Sequence, residues 1–358
     1  MYLKPNTRLA VYAEGEFGKG RSKTAEGVLR YGKNPIAAVI DSTAVGKTIK
    51  EASGIDCPAP IVASIEEAMQ YKPDALLIGT QWAGGELPEA WRSELIKAIK
   101  AKLDIVNGLH DFLSEDPEYS QLAKENNVKL LDVRRSPDEL PIAQGKARDI
   151  KALTVLTVGT DCSVGKMTVS LELLNEAEKR GFKARFVATG QTGIMITGGF
   201  GIAIDRVIGD FMAGATEQMV LEAAPGQDFV FVEGQGSLAH PSFSGVTLAL
   251  MHGSAAKAMV LCHKSSRTCI NNLPDFPQPD FRKMIEISET MAEFVQPSKV
   301  IAMALNTKGL TDEEAKRAIA DAERQTGLPA TDPVRFGAKI LFDAILAFQE
   351  KQPCLAQR

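Results

Sequence analysis

The stretch GTDCSVGKMT, Gly159 to Thr168, decides how this chain is read. It follows the apolar run ALTVLTV and precedes a segment with helical patterning. Strand, glycine loop, lysine and helix therefore occur in the order of a phosphate-binding loop. Glycine suits a backbone that must turn sharply and come close to an anion. The loop N–H groups and the positive end of the following helix face that anion, and Lys166 adds a full charge. Two features depart from the common pattern. Five residues separate Gly159 from Gly165, one more than usual. Met167 follows the lysine where a Ser or Thr hydroxyl would ligate the nucleotide's Mg²⁺, and the hydroxyl comes one place later at Thr168. The residues expected to contact a cofactor are Gly159, Thr160, Asp161, Cys162, Ser163, Val164, Gly165, Lys166, Met167 and Thr168.

Outward from this loop the second half alternates strand and helix. Candidate strands are 153–158, 184–189, 228–233, 258–263 and 299–305, with helices near 166–180, 207–223, 281–295, 311–326 and 335–351. Thr311 and Glu314 have capping-box spacing, and Gly327 follows the helix they open. The first half has the same rhythm, with short apolar runs at 8–13, 35–40, 73–79, 103–108 and 128–133 separated by amphipathic segments. SPDELPIAQGKARD (136–149), with two prolines, a glycine and many charges, reads as the linker. The expected architecture is α/β with two doubly wound, mainly parallel-sheet domains. The N-terminal one, 1–140, is Rossmann-like, and the C-terminal one, 150–358, resembles a P-loop NTPase domain.

Composition narrows the function classes. The chain has 358 residues, too many for one ordinary core. It is 44% hydrophobic and 24% charged, with 41 Lys+Arg against 45 Asp+Glu and a net charge of −4. This mildly acidic balance, without a basic run, argues against nucleic acid as the main partner. No leader-like pattern and no membrane-spanning apolar run stand out, and the five cysteines form no CxxC pair. A cytoplasmic protein acting on small molecules is expected, without a membrane or metal partner. Closed two-fold assemblies being the commonest, a homodimer is expected too.

Two other stretches invite comparison with the loop. DSTAVGKTIK (41–50) has a Lys-Thr pair but no leading glycine, so a surface turn opening a helix explains it better. YAEGEFGKGRSKTAEG (12–27) suits either phosphate or a solvated loop.

DFVFVEGQGSLAHP (228–241) is an apolar strand that ends in a carboxylate and a glycine turn. In P-loop proteins the acid at such a strand end orients water or metal, which singles out Glu233. His240, fixed by the proline after it, would lie at the same functional end. GQTGIMITGGFG (190–201) is a third glycine-dense loop past a strand, and together the three point to a ligand cleft. In IDRVIGDFMAGATE (204–217), Asp210 and Glu217 are seven apart and share a helix face, and Arg206 could grip a carboxylate.

GTD…VGK resembles the loop of dethiobiotin synthetase and related enzymes. Joined to EGQGSLAHP, DFMAGATE and DPVRFG (332–337), it resembles a narrower family over nearly the whole chain. These are two-domain bacterial proteins long carried as a domain of unknown function and now associated with D-glutamate N-acetyltransferases that use acetyl-coenzyme A. The resemblance implies acetyl-coenzyme A as donor substrate. Acetyl transfer breaks a thioester and leaves each phosphate bond intact, so no metal is needed and Met167 does no harm. The acceptor amine must lose a proton, for which Glu233 is the first candidate, with His240 and Asp210 behind it. Thr192, Arg206 and Ser237 are the candidates for binding the amino-acid substrate. The alternative is an ATP- and Mg²⁺-dependent ligase or kinase.

Overall fold

The computed structural model describes residues 3–80, 85 and 87–351, so Cys354 lies outside the described residues. The chain divides into two compact units, one of residues 1–136 with 190–206, the other of 137–189 with 207–358. Residues 190–206, placed in the second half by the sequence reading, thus pack with the first unit. Most of the expected linker, from Pro137 onward, belongs to the second.

In the first unit, β1 (Leu9–Tyr12), β2 (Ile36–Ile40), β3 (Ile61–Val62), β4 (Ala75–Ile78), β5 (Asp104–Asn107) and β6 (Leu130–Asp132) form one sheet. The order is β3-β2-β1-β4-β5-β6 and each pairing is parallel. The order runs outward in both directions from β1, the Rossmann arrangement, in which parallel strands are joined by crossover connections. The core gathers β-branched and aromatic side chains, with Tyr12 edge-on to Trp91 at 4.7 Å.

The second unit holds β7 (Leu153–Gly159), β8 (Ala184–Val187), β9 (Phe229–Val232), β10 (Ala258–Lys264), the hairpin β11 (Cys269–Ile270) and β12 (Leu273–Pro277), β13 (Lys299–Asn306) and β14 (Ala330–Thr331). Its main sheet runs β14-β13-β10-β7-β9-β8, again parallel throughout. β7 is buried along its whole length, as a central strand covered on both faces must be. The strand order reverses between β7 and β10, the point where α/β sheets bind ligands.

The helix Asp312–Thr326 has the expected capping box, and Gly327 closes it at φ 71°. The helix Ser244–Ser254 escapes a sequence reading because glycine and serine lower its intrinsic propensity. Close packing explains it. A Cβ on Gly253 would lie 2.2 Å from Ala213 O of the helix Gly209–Ala223, so only glycine lets the two helices approach. No described helix is long and apolar enough to cross a membrane.

Candidate functional site

β7 delivers Gly159 to the sheet's C-terminal edge, and the loop turns back through Ser163 (φ 53°) and Gly165 (φ 110°) into the helix Lys166–Lys179. A Cβ on Gly159 would lie 3.0 Å from Asp161 O, Lys166 Nζ and Val164 Cγ2 alike, so the loop is wound tightly around this glycine. Lys166 is buried and donates from Nζ to Asp161 O at 2.8 Å. Its ammonium is thereby held inside the curl of the loop. Met167 is buried, so the position next to the lysine faces the core with a thioether. Thr168 is half-buried.

Asp161, expected as a cofactor contact, has structural partners of its own. It is fully buried, and its Oδ2 accepts from Arg267 Nη1 at 2.6 Å, Asn271 N at 2.7 Å and Gln278 Nε2 at 3.2 Å. Cys162 N donates to its Oδ1 at 2.6 Å, and Arg267 also donates to Cys162 O. The carboxylate therefore ties the hairpin β11–β12 to the loop. Arg267, Asn271 and Gln278 go unnoticed in the sequence, although Asn271-Asn272 between two apolar runs is a hairpin signal, with Asn272 at φ 62°. Thr160 Oγ1 meets His263 Nδ1 at 3.0 Å. Burial, and secondarily the Arg267 charge, pull the His263 pKa down to about 4.

Glu233, just past β9, is buried and its Oε2 accepts the Thr189 N–H at 3.0 Å. Gln235 Nε2 donates to Thr189 O, which fixes the turn that follows. Gly234 donates its N–H to Thr157 Oγ1 at 3.0 Å. A Cβ on Gly234 would lie 1.7 Å from Thr157 O and 3.0 Å from Lys166 Cδ, so the β9 turn runs against the lysine stem. His240 is buried beside Phe243, and its Nδ1 accepts the Ser242 N–H at 3.2 Å. That bond places the proton of a neutral ring on Nε2. Donor atoms of Asp161, Cys162 and His240 lie within 4.8 Å of one another. By spacing they could surround a metal ion, but Asp161 Oδ2 already has three donors, one of them a guanidinium that would repel a cation.

The structure thus gathers the loop, Glu233 and His240 in the second unit. Ser237, in the same unit, is fully buried and its Oγ accepts from Ala239 N at 3.2 Å. Asp210 stands exposed in the first turn of its helix, and no hydrogen bond or ion pair joins it to Glu233 or His240 among the described residues. Glu217, on the same helix, is buried and accepts from Gln144 N at 2.8 Å, so it anchors the segment before β7. Thr192 and Arg206 belong to the first unit. There Thr192 Oγ1 bonds Thr24 Oγ1 at 2.9 Å, and the Arg206 guanidinium lies 5.0 Å over the Phe112 ring. The Lys-Thr pair at 47–48 is a helix start, Thr48 and Glu51 forming a capping box. In the loop 12–27, Lys19 turns onto Gly15 O and Arg21 pairs with Glu16.

A parallel sheet whose central strand runs through a glycine loop into a lysine-headed helix is a P-loop domain, and the first unit's strand order is that of a Rossmann domain. Comparison with known proteins agrees. The family described as "Domain of unknown function (DUF1611_C) P-loop domain" matches residues 141–342, and the DUF1611_N Rossmann-like domain matches 42–136. A D-glutamate N-acetyltransferase of Tritonibacter scottomollicae is 40% identical over 79% of this chain and 84% of its own. One from a Pseudoalteromonas species is 37% identical over 79% and 83%. The crystal structure of a DUF1611 family protein from Anabaena variabilis is 42% identical, with a TM-score of 0.91 over 96% of this chain and 100% of that one. The chain belongs to the DUF1611 family, and the relatives it matches are acyltransferase enzymes by name.

Proposed function

We propose that this protein moves the acetyl group of acetyl-coenzyme A to the amine of D-glutamate, with the loop Gly159–Thr168 holding the donor's diphosphate. The observation that carries the reading is Met167. Its buried thioether stands where a magnesium hydroxyl belongs, in a loop otherwise built for phosphate, and the matched relatives bear the name of a reaction that leaves phosphates whole. Loop N–H groups, the helix N-terminus and Lys166 supply the anion site, and no metal is assigned a role.

In the transfer, the amine nitrogen attacks the thioester carbonyl carbon. A C–N bond forms, the C–S bond breaks, and coenzyme A leaves as a thiolate that takes up a proton. Glu233 is the proposed acceptor of the amine proton. Because Gly234 packs on the Lys166 stem, this role requires the pantetheine arm to fold back over the loop. His240, with its neutral-ring proton on Nε2, suits donation to the tetrahedral oxyanion, together with backbone N–H groups of 234–237.

The test is direct. Purified protein is incubated with acetyl-coenzyme A and either glutamate enantiomer in metal-free buffer, and thiol release is followed. D-glutamate-dependent release supports the reading; background release with both enantiomers ends it. Nucleotide hydrolysis stimulated by a carboxylate substrate would instead favour an ATP-dependent ligase or kinase.

A further inference from the structure

A second concentration of positive charge lies past the ends of β10 and β13. Ala258, Val260 and Cys262 of β10, and Ala302 and Ala304 of β13, pack in one core with Val169, Leu173 and Ala177 of the helix Lys166–Lys179. Strand alternation carries that face on to Lys264 and Asn306, which are register partners. Cys262 pairs with Gly159. Lys264 is therefore one strand over and two residues beyond the loop's first glycine, about 8 Å away by strand spacing and rise.

Asn306 bridges the interval. Its Nδ2 lies 3.9 Å from where a Cβ on Gly165 would sit, its Oδ1 accepts the Lys308 N–H at 3.1 Å, and its carbonyl accepts the Ser265 N–H at 3.1 Å. Lys264 is half-buried, and no hydrogen bond or ion pair engages its ammonium among the described residues. Burial, followed by the charges of Arg267 and Lys308, lowers its pKa. Like charges gathered so close to a phosphate cradle are relieved by a second anion.

Resting on the donor assigned above, we propose that Lys264 and Lys308, flanking Asn306, receive the 3′-phosphate of coenzyme A while the loop holds its diphosphate. The 3′-phosphate is a terminal monoester on the ribose, a few bonds from the diphosphate. ADP carries only a hydroxyl there. Lys264 then distinguishes coenzyme A from an adenine nucleotide.

The experiment is calorimetric titration of wild type, Lys264→Gln and Lys308→Gln with coenzyme A and with dephospho-coenzyme A, which differ only in that phosphate. Wild type should prefer coenzyme A by about tenfold to a hundredfold. Lys264→Gln should shrink the preference to about threefold or less while dephospho-coenzyme A binds as before, which also shows the variant folded. Lys308→Gln should shrink it by less. An unchanged preference in Lys264→Gln, or equal loss for both ligands, overturns the proposal. Equal binding of both by wild type overturns it too but leaves the diphosphate assignment standing. Binding of neither overturns that assignment and this one with it.

Discussion

Arg267 Nη1 donates to Asp161 Oδ2 at 2.6 Å, and the carboxylate has no exposure to solvent. The pair couples a hairpin to a loop far from it in sequence, so its removal should be felt as loss of structure as well as of binding. Breaking a buried pair by deleting one partner costs about 3–5 kcal/mol. Arg267→Ala should therefore lower the denaturation midpoint clearly. A midpoint equal to wild type would show that Asn271 N and Gln278 suffice for Asp161.

Lys166→Ala removes the one positive side chain of the loop. Coenzyme A affinity should fall about tenfold to a hundredfold, measured by calorimetry, with far-ultraviolet circular dichroism unchanged. Undiminished affinity would place the donor elsewhere.

Glu233→Gln keeps the shape of the β9 turn and removes the proposed proton acceptor. Under the base assignment kcat should fall about a hundredfold to ten-thousandfold, with the KM for acetyl-coenzyme A little altered. A drop in stability with kcat preserved would instead assign Glu233 to holding the Thr189 N–H.

Gly234→Ala would thrust a Cβ to 1.7 Å from Thr157 O. Backbone has to give way, so a loss of about 1–3 kcal/mol is expected in chemical denaturation. Donor binding should fall in parallel, because the same turn runs along Lys166.

His263 provides a pH signature. Its folded pKa is about 4 against an ordinary 6.5. Between those values the unfolded chain holds the extra proton, so stability falls as pH drops from 6.5 to 4 and levels off below. The span is on the order of 3 kcal/mol. His263→Asn should show a flatter stability curve across this window in denaturant titrations at a series of pH values. Parallel curves would refute the assignment.

Period and punctuation made much of the fold legible. Apolar runs at 8–13 and 153–158 become central strands, and Thr311 with Glu314 marks a helix start correctly. What stayed hidden depends on partners distant in sequence. β3 and β14 have two residues each, too short for any periodicity. The Asp161 network joins residues more than a hundred positions apart. At the site, the loop and the β9 turn announce themselves through glycine. Asp161 reads as a ligand contact because its sequence neighbours do, and only the arrival of Arg267 reveals that it also ties the loop to the hairpin. Lys264 has no motif; the pairing of β10 with β13 gives it significance.

The strand of chain from Gly190 to Arg206 leaves one unit, packs Ile194, Met195 and Ile196 out of solvent within the other, and returns. A plasmid encoding only residues 137–358 would yield a P-loop body trailing this greasy insert with nothing to shelter it. Dissecting the protein at a single cut should therefore give aggregates, whereas replacing 190–206 by a short polar bridge should restore a soluble fragment.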